Sequence, residues 1–105
     1  MEGIKVMSKN TVYVDEDLKE LIPDFLENRS EDIKELKSAI STKDFEAIRK
    51  IGHTIKGVGG GYGFDYVTEL GQKIEEAAKK SDEDLLNELI LELENHLDNV
   101  EIVYE

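Results

Sequence analysis

The sequence predicts an all-α protein: an antiparallel up-and-down four-helix bundle with a short additional N-terminal helix or arm. Three observations lead there. Glu, Lys, Leu, Ile and Asp dominate a 105-residue chain that holds one proline, a mix that favours helices. Apolar residues recur at spacings of three and four along successive stretches. Short polar turns separate those stretches, and an up-and-down bundle is the economical way to pack helices joined so closely.

The length fits one domain with a single modest core. Charged residues make up 36% of the chain, but Leu, Ile and Val recur throughout, which argues for folding rather than disorder. Residues 1–14 are weakly patterned and read as an N-terminal arm, with "TVYV" as its extended part. Residues 15–105 read as the helical bundle.

The first helical stretch carries Leu18, Leu21, Ile22, Phe25, Leu26, Ile33, Leu36 and Ile40. Asp15 suits its N-cap, and Pro23 suits a first turn or a kink between a short and a long helix. Ser41 and Asp44 then have capping-box spacing, ahead of a helix from about Lys43 to about Gly61. "YGFD" breaks it, and Asp65 is the expected cap of a third helix bearing Val67, Leu70, Ile74, Ala77 and Ala78. Ser81 and Asp84 repeat the capping-box spacing before a last helix that runs through Leu85, Leu86, Leu89, Ile90, Leu93, Leu97 and Val100.

Composition excludes several functions. There is no cysteine, so disulfides, thiol catalysis and cysteine-based zinc sites are out. A net charge of −12 repels nucleic acid and anionic lipid, so neither is an expected partner. No apolar run is long enough to span a membrane, "MEGIKVMSKN" does not read as a signal peptide, and the expected location is the cytoplasm.

The second helix holds the unusual chemistry. On a helical wheel Phe45, Ile48, Ile51, Ile55, Val58 and Tyr62 fall within an arc of roughly 160°. His53, one of two histidines, falls almost opposite and is expected in solvent. Arg49, Lys50, Lys56 and Gly57 are its neighbours at spacings of three and four. An acidic chain thus places three cations around one exposed imidazole, and Gly57 and Gly60 leave the following turns bare on that side. Gly52 and Gly59 fall toward the core, where they allow close helix packing, and Gly61 and Gly63 suit the helix end; the competing reading makes the whole glycine run a C-cap and loop.

A neutral imidazole is a competent nucleophile and carries covalent intermediates. Lys56 and Arg49 are placed to offer charge-assisted hydrogen bonds to a phosphoryl group on it. "GVGGGYG" lacks the Gly-Lys-Ser/Thr ending of a P-loop, fails the dinucleotide pattern in register and follows no strand, so no nucleotide cofactor is expected. No metal site is expected either: Glu46 shares the His53 face but lies roughly 10 Å along the helix. His96 reads as a boundary or surface histidine. Asp44, Glu75 and Glu76 read as caps or solvated carboxylates, and Tyr62 and Phe64 as packing residues.

"HTIKGVGGGYG" resembles the signature of the histidine-containing phosphotransfer (HPt) domains, in which His, two residues, Lys-Gly, five residues and Gly correspond here to His53, Lys56, Gly57 and Gly63. The flanking "LIPDFLENRSEDIKELKSAI" and "KDFEAIRKIGHTIKG" resemble the preceding helices of that family, and the likeness covers about residues 15–100. Val58 departs from it, since a small Ser or Ala is common there. The resemblance implies a four-helix bundle with an exposed phosphoacceptor, His53, loaded on Nε2. It implies a phosphorelay intermediate of two-component signalling, taking the group from a receiver-domain aspartate or a kinase and passing it to another receiver. The expected partners are therefore response-regulator receiver domains or a hybrid histidine kinase. It implies that Lys56 supports the phosphate and Gly57 admits the partner. Arg49 is added from the wheel as a phosphate contact, with Lys50 and Gly60 as docking positions. Such a protein is a phosphocarrier with no ATP-dependent kinase activity of its own. The competing reading is a non-catalytic helical adaptor that binds receivers through the same face.

Overall fold

The computed structural model describes residues 10–105, so the part of the expected arm over residues 1–9 lies outside the described residues. Strand β1 (Thr11–Val14) opens the described chain. A 3-10 helix (Glu16–Leu21) follows, then α1 (Ile22–Ser41), α2 (Phe45–Gly59), α3 (Asp65–Lys79), α4 (Glu83–Asn99) and strand β2 (Glu101–Tyr104). The helices pack in a ring: α1 lies against α2 and α4, and α3 against α2 and α4, with the tightest approach between α2 and α3. This is the expected four-helix bundle. Among the described residues no helix is long and apolar enough to cross a membrane.

The core is what the apolar spacing dictates. Leu36, Ile48, Ile55, Val67, Leu70, Ile74, Leu86 and Leu93 are fully buried, contributed by all four helices. Leu21, grouped with the first apolar face in sequence, is instead 48% exposed at the end of the 3-10 turn. Asp15 caps that turn, its Oδ1 accepting from the Asp17 N–H at 2.9 Å. Pro23 sits in the first turn of α1, where no intrahelical N–H is lost. Phe25 faces Tyr62 and Phe64 with ring centroids 4.7 Å away in each case, so both aromatics do pack as expected.

The helix caps differ from the sequence expectation at three places. Ser41 ends α1, its hydroxyl donating to the Ser38 carbonyl, and Asp44 is itself the cap of α2, accepting from the Ala47 N–H at 3.1 Å. Lys43 has φ +57°, which turns the chain so that the Asp44 N–H reaches back to the Ala39 carbonyl at 2.8 Å. The α3–α4 turn repeats this geometry: Ser81 has φ +52°, the Asp82 N–H bonds the Ala77 carbonyl, and Asp82 rather than Ser81 caps α4. At α3, Asp65 is the first helical residue, and the cap position belongs to Phe64, whose side chain is buried. An acidic group in the first turn still favours the helix N-terminus.

The two strands lie at opposite ends of the chain and run parallel, with Val12 opposite Ile102 and Tyr13 opposite Val103. Helix α4 ends at Asn99, and Val100, expected on that helix, is extended. The Glu101 N–H donates to the Asn10 carbonyl at 2.7 Å and the Glu105 N–H to the Val14 carbonyl at 3.0 Å. Val12 and Val14 turn inward and join the core. His96 is only 2% exposed rather than at the surface. Its Nδ1 lies 2.9 Å from the Asn10 Oδ1, and the Tyr66 ring meets it edge-on at 4.9 Å. Burial pushes the His96 imidazole below its ordinary pKa.

Candidate functional site

The site is built on the α2–α3 contact. Gly52 and Gly71 meet there without side chains. A Cβ on Gly52 would lie 2.8 Å from the Glu75 backbone N, and one on Gly71 would lie 2.5 Å from the Lys56 backbone N. Real side chains do not tolerate such distances, so both glycines are needed for the two backbones to come this close. Gly52 precedes His53, and Gly71 is one turn before Glu75 on the same face of α3. The glycine contact therefore sets the reach between the functional side chains.

His53 points outward, its side chain 65% exposed, as the helical wheel requires. Its Nδ1 lies 3.2 Å from Glu75 Oε2. The other oxygen of that carboxylate, Oε1, lies 3.1 Å from the Lys56 ammonium. Glu75 is only 6% exposed, so it is neither a cap nor a solvated carboxylate. It is the buried link between histidine and lysine. The Lys56 hydrogen bond, followed by its charge and by His53, holds the Glu75 carboxyl below its ordinary pKa against the opposing effect of burial. An ionised carboxylate only accepts hydrogen bonds, so Nδ1 of a neutral His53 is the donor and Nε2 holds the lone pair.

The remaining sequence candidates surround this pair. Arg49 is drawn back along α2 by Glu46, its Nε donating to Oε1 at 3.1 Å and its second guanidinium nitrogen to Oε2. The same contact, with a smaller contribution from Lys50, keeps the Glu46 carboxyl below its ordinary range. Lys50 is exposed. A Cβ at Gly57 or Gly61 would meet nothing within 4 Å, so internal packing does not require either glycine. Gly60 begins a 3-10 turn (Gly60–Tyr62) that ends at Gly63, whose φ of +89° does call for glycine. Only Gly63 of the pair Gly61 and Gly63 thus acts as the helix stop.

Thr68 fixes the end of α2. Its hydroxyl accepts from the Gly60 N–H at 2.7 Å and donates to the Lys56 carbonyl at 3.0 Å. Gly59 makes room for it, since a Cβ there would lie 2.7 Å from the Thr68 oxygen. Gly52 and Gly59 are therefore the close-packing glycines their wheel positions suggested. Among the described residues no group of histidine, aspartate and glutamate is arranged to hold a metal ion.

Sequence reasoning missed Glu75 and Thr68. The available signal was the spacing of Gly71 and Glu75, which places a carboxylate one turn from a close-approach glycine. With the geometry in hand, the comparison with known families is direct: a model of the Hpt domain matches residues 20–102 of the 105. The chain belongs to the Hpt domain family, whose members serve histidine phosphotransfer in phosphorelay signalling and interact there with receiver domains and kinases. Neither the curated proteins nor the solved structures contain a significant match to the chain.

Proposed function

We propose that His53 is the phosphoacceptor and that the domain is a phosphorelay intermediate, loaded by a receiver aspartyl phosphate or a kinase and unloaded onto another receiver aspartate. One observation carries the reading: the Nδ1 side of an exposed imidazole is tied to a buried carboxylate that also holds a lysine. That leaves Nε2 as the nucleophilic atom in solvent. In loading, the Nε2 lone pair attacks phosphorus, the Nε2–P bond forms, and the P–O bond to the donor carboxylate breaks with its electron pair.

Lys56 stands one turn from His53 and, with three donor hydrogens, serves Glu75 and a phosphoryl oxygen together. Arg49 is a second phosphate contact that must first leave Glu46. The bare surface at Gly57 and Gly60, with Lys50 at its edge, admits the partner to Nε2. The test is phosphoryl transfer from a panel of phosphorylated receiver domains to wild type and His53→Gln. An acid-labile, alkali-stable phosphate on wild type alone supports the reading. A folded wild type that binds receivers and takes no label would make the domain an adaptor.

A further inference from the structure

The parallel pair β1–β2 has two outer edges, and the fold treats them differently. The Glu101 N–H donates to the Asn10 carbonyl and the Glu105 N–H to the Val14 carbonyl, while the Glu105 carbonyl accepts from the Glu16 N–H. Backbone groups of successive strand residues turn to opposite sides. Glu101, Val103 and Glu105 therefore face β1, and Ile102 and Tyr104 direct their N–H and C=O groups away from it. Tyr13 faces away from β2 on the far side of β1. There the Gly63 turn closes against it, since a Cβ on Gly63 would lie 2.8 Å from the Tyr13 carbonyl oxygen. Nothing among the described residues bonds the Ile102 and Tyr104 backbones. The β2 edge is the open one.

The side chains along that edge alternate. Ile102 and Tyr104 turn toward the core and are half-buried. Glu101, Val103 and Glu105 are exposed on the other face. Val103 stands opposite Tyr13 in register, and the two form an exposed apolar pair. The solvent face of β2 thus reads acidic, apolar, acidic in a chain of net charge −12. At the Tyr104 end of the inner face, the Lys19 ammonium lies 5.3 Å from the ring centroid. Strand β1 lies wholly ahead of the residues matched by the Hpt model, and β2 runs past their end. None of the residues assigned to phosphoryl transfer lies on this sheet.

We propose that the outer edge of β2 docks an extended segment of a partner protein, which adds as a third strand and presents basic, apolar and basic residues at alternate positions on its solvent face. Main-chain bonds to Ile102 and Tyr104 give the pairing, and the flanking side chains give the choice of sequence. The two basic residues meet Glu101 and Glu105, and the apolar one meets Val103 beside Tyr13. The intervening residues face Ile102 and Tyr104, where the Lys19 ammonium disfavours further positive charge. The edge therefore selects an alternating segment over a run of lysines. A second copy of the chain is a poor occupant. Two β2 strands paired antiparallel about Val103 would bring Glu101 and Glu105 opposite one another, and like charges so placed destabilise a sheet. A third strand also strengthens the pair itself, because two strands alone are marginal.

The test titrates the full chain, labelled with nitrogen-15, with the peptide acetyl-Thr-Lys-Val-Ile-Val-Lys-Thr-amide, and follows amide shifts and hydrogen exchange by NMR. At a peptide concentration about ten times Kd, exchange at the Ile102 and Tyr104 amides should slow about tenfold. The same peptide with glutamate in place of both lysines should bind about tenfold more weakly or worse. The double variant Glu101→Lys, Glu105→Lys should reverse that preference. Shifts spread over the acidic surface without protection of the two amides would mark charge attraction alone and overturn the proposal. Equal binding of the two peptides to wild type would overturn it too, and this comparison decides the matter if the double variant does not fold. Protection of the two amides in the free protein that grows with its concentration would make a second copy the occupant, and would also overturn it. The outcome is independent of whether His53 takes a phosphoryl group.

Discussion

Gly52 and Gly71 face each other so closely that a Cβ on either would come within 3.0 Å of the other's carbonyl oxygen. This contact fixes the spacing of α2 and α3, and with it the distance from Glu75 to both His53 and Lys56. Gly52→Ala and Gly71→Ala should each destabilise the domain by about 1–3 kcal/mol, the usual range for overpacking. Both should also reduce phosphoryl loading. Urea denaturation and a loading assay on the same samples would check the pair of effects.

Gly57 and Gly61 should behave in the opposite way. Their substitution by alanine meets open space and removes a poor helix former, so Gly57→Ala should stabilise the fold by up to about 1 kcal/mol. Transfer from a receiver should nevertheless slow, because the methyl group stands on the surface the partner must cross. Thermal denaturation and transfer rates measured together separate this outcome from that at Gly52.

Lys56→Ala should leave the fold intact, since the side chain lies at the surface end of its contact with Glu75. Loss of a charge-assisted hydrogen bond to the transferring group should lower the transfer rate roughly tenfold to a hundredfold. Circular dichroism and transfer kinetics provide the check. An unfolded variant would mean that Lys56 is a structural residue.

Stability should fall on acidification in two stages. Burial lowers the folded-state pKa of His96, so its contribution is complete above its ordinary value near 6.5 and is lost as pH falls through the lower folded value. Glu75 is also lowered, chiefly by Lys56, so its contribution is complete above the ordinary glutamate range and is lost further into acid. Denaturation midpoints from about pH 3 to 8 should show both stages, and His96→Gln should remove the earlier one.

Lys43 and Ser81 occupy left-handed conformations in the two repeated turns. Glycine carries no Cβ penalty there, so Lys43→Gly or Ser81→Gly should raise stability by about 1 kcal/mol or less, read as a higher melting temperature. These residues also explain why the helix starts were misjudged from sequence. The usual mark of a left-handed stop, glycine, is absent from both turns, and Ser41 and Ser81 offered attractive capping boxes three residues and one residue ahead of the true caps, Asp44 and Asp82.

The faces of α1 and α2 were legible because burial follows the 3.6-residue period within one helix. For the same reason the exposure of His53 and the inward aim of Gly52 and Gly59 could be read directly. Glu75 was not, because its pairing with His53 depends on how α3 is registered against α2, which no pattern internal to either helix specifies. His96 looked like a boundary residue because nothing within α4 reveals that Asn10 and Tyr66 lie against its ring. Strands of four residues, paired across the whole length of the chain, leave no local signature beyond "TVYV" and "EIVYE". Thr68 is similarly silent in sequence, since its role is to serve the backbone of another helix.

The most direct test of the central claim is phosphate transfer from phosphorylated receiver domains to the wild-type domain and to His53→Gln, with the labelled residue mapped by mass spectrometry. The account predicts one acid-labile, alkali-stable phosphate on His53, absent from the variant. A phosphate on any other residue, or equal labelling of His53→Gln, would contradict it.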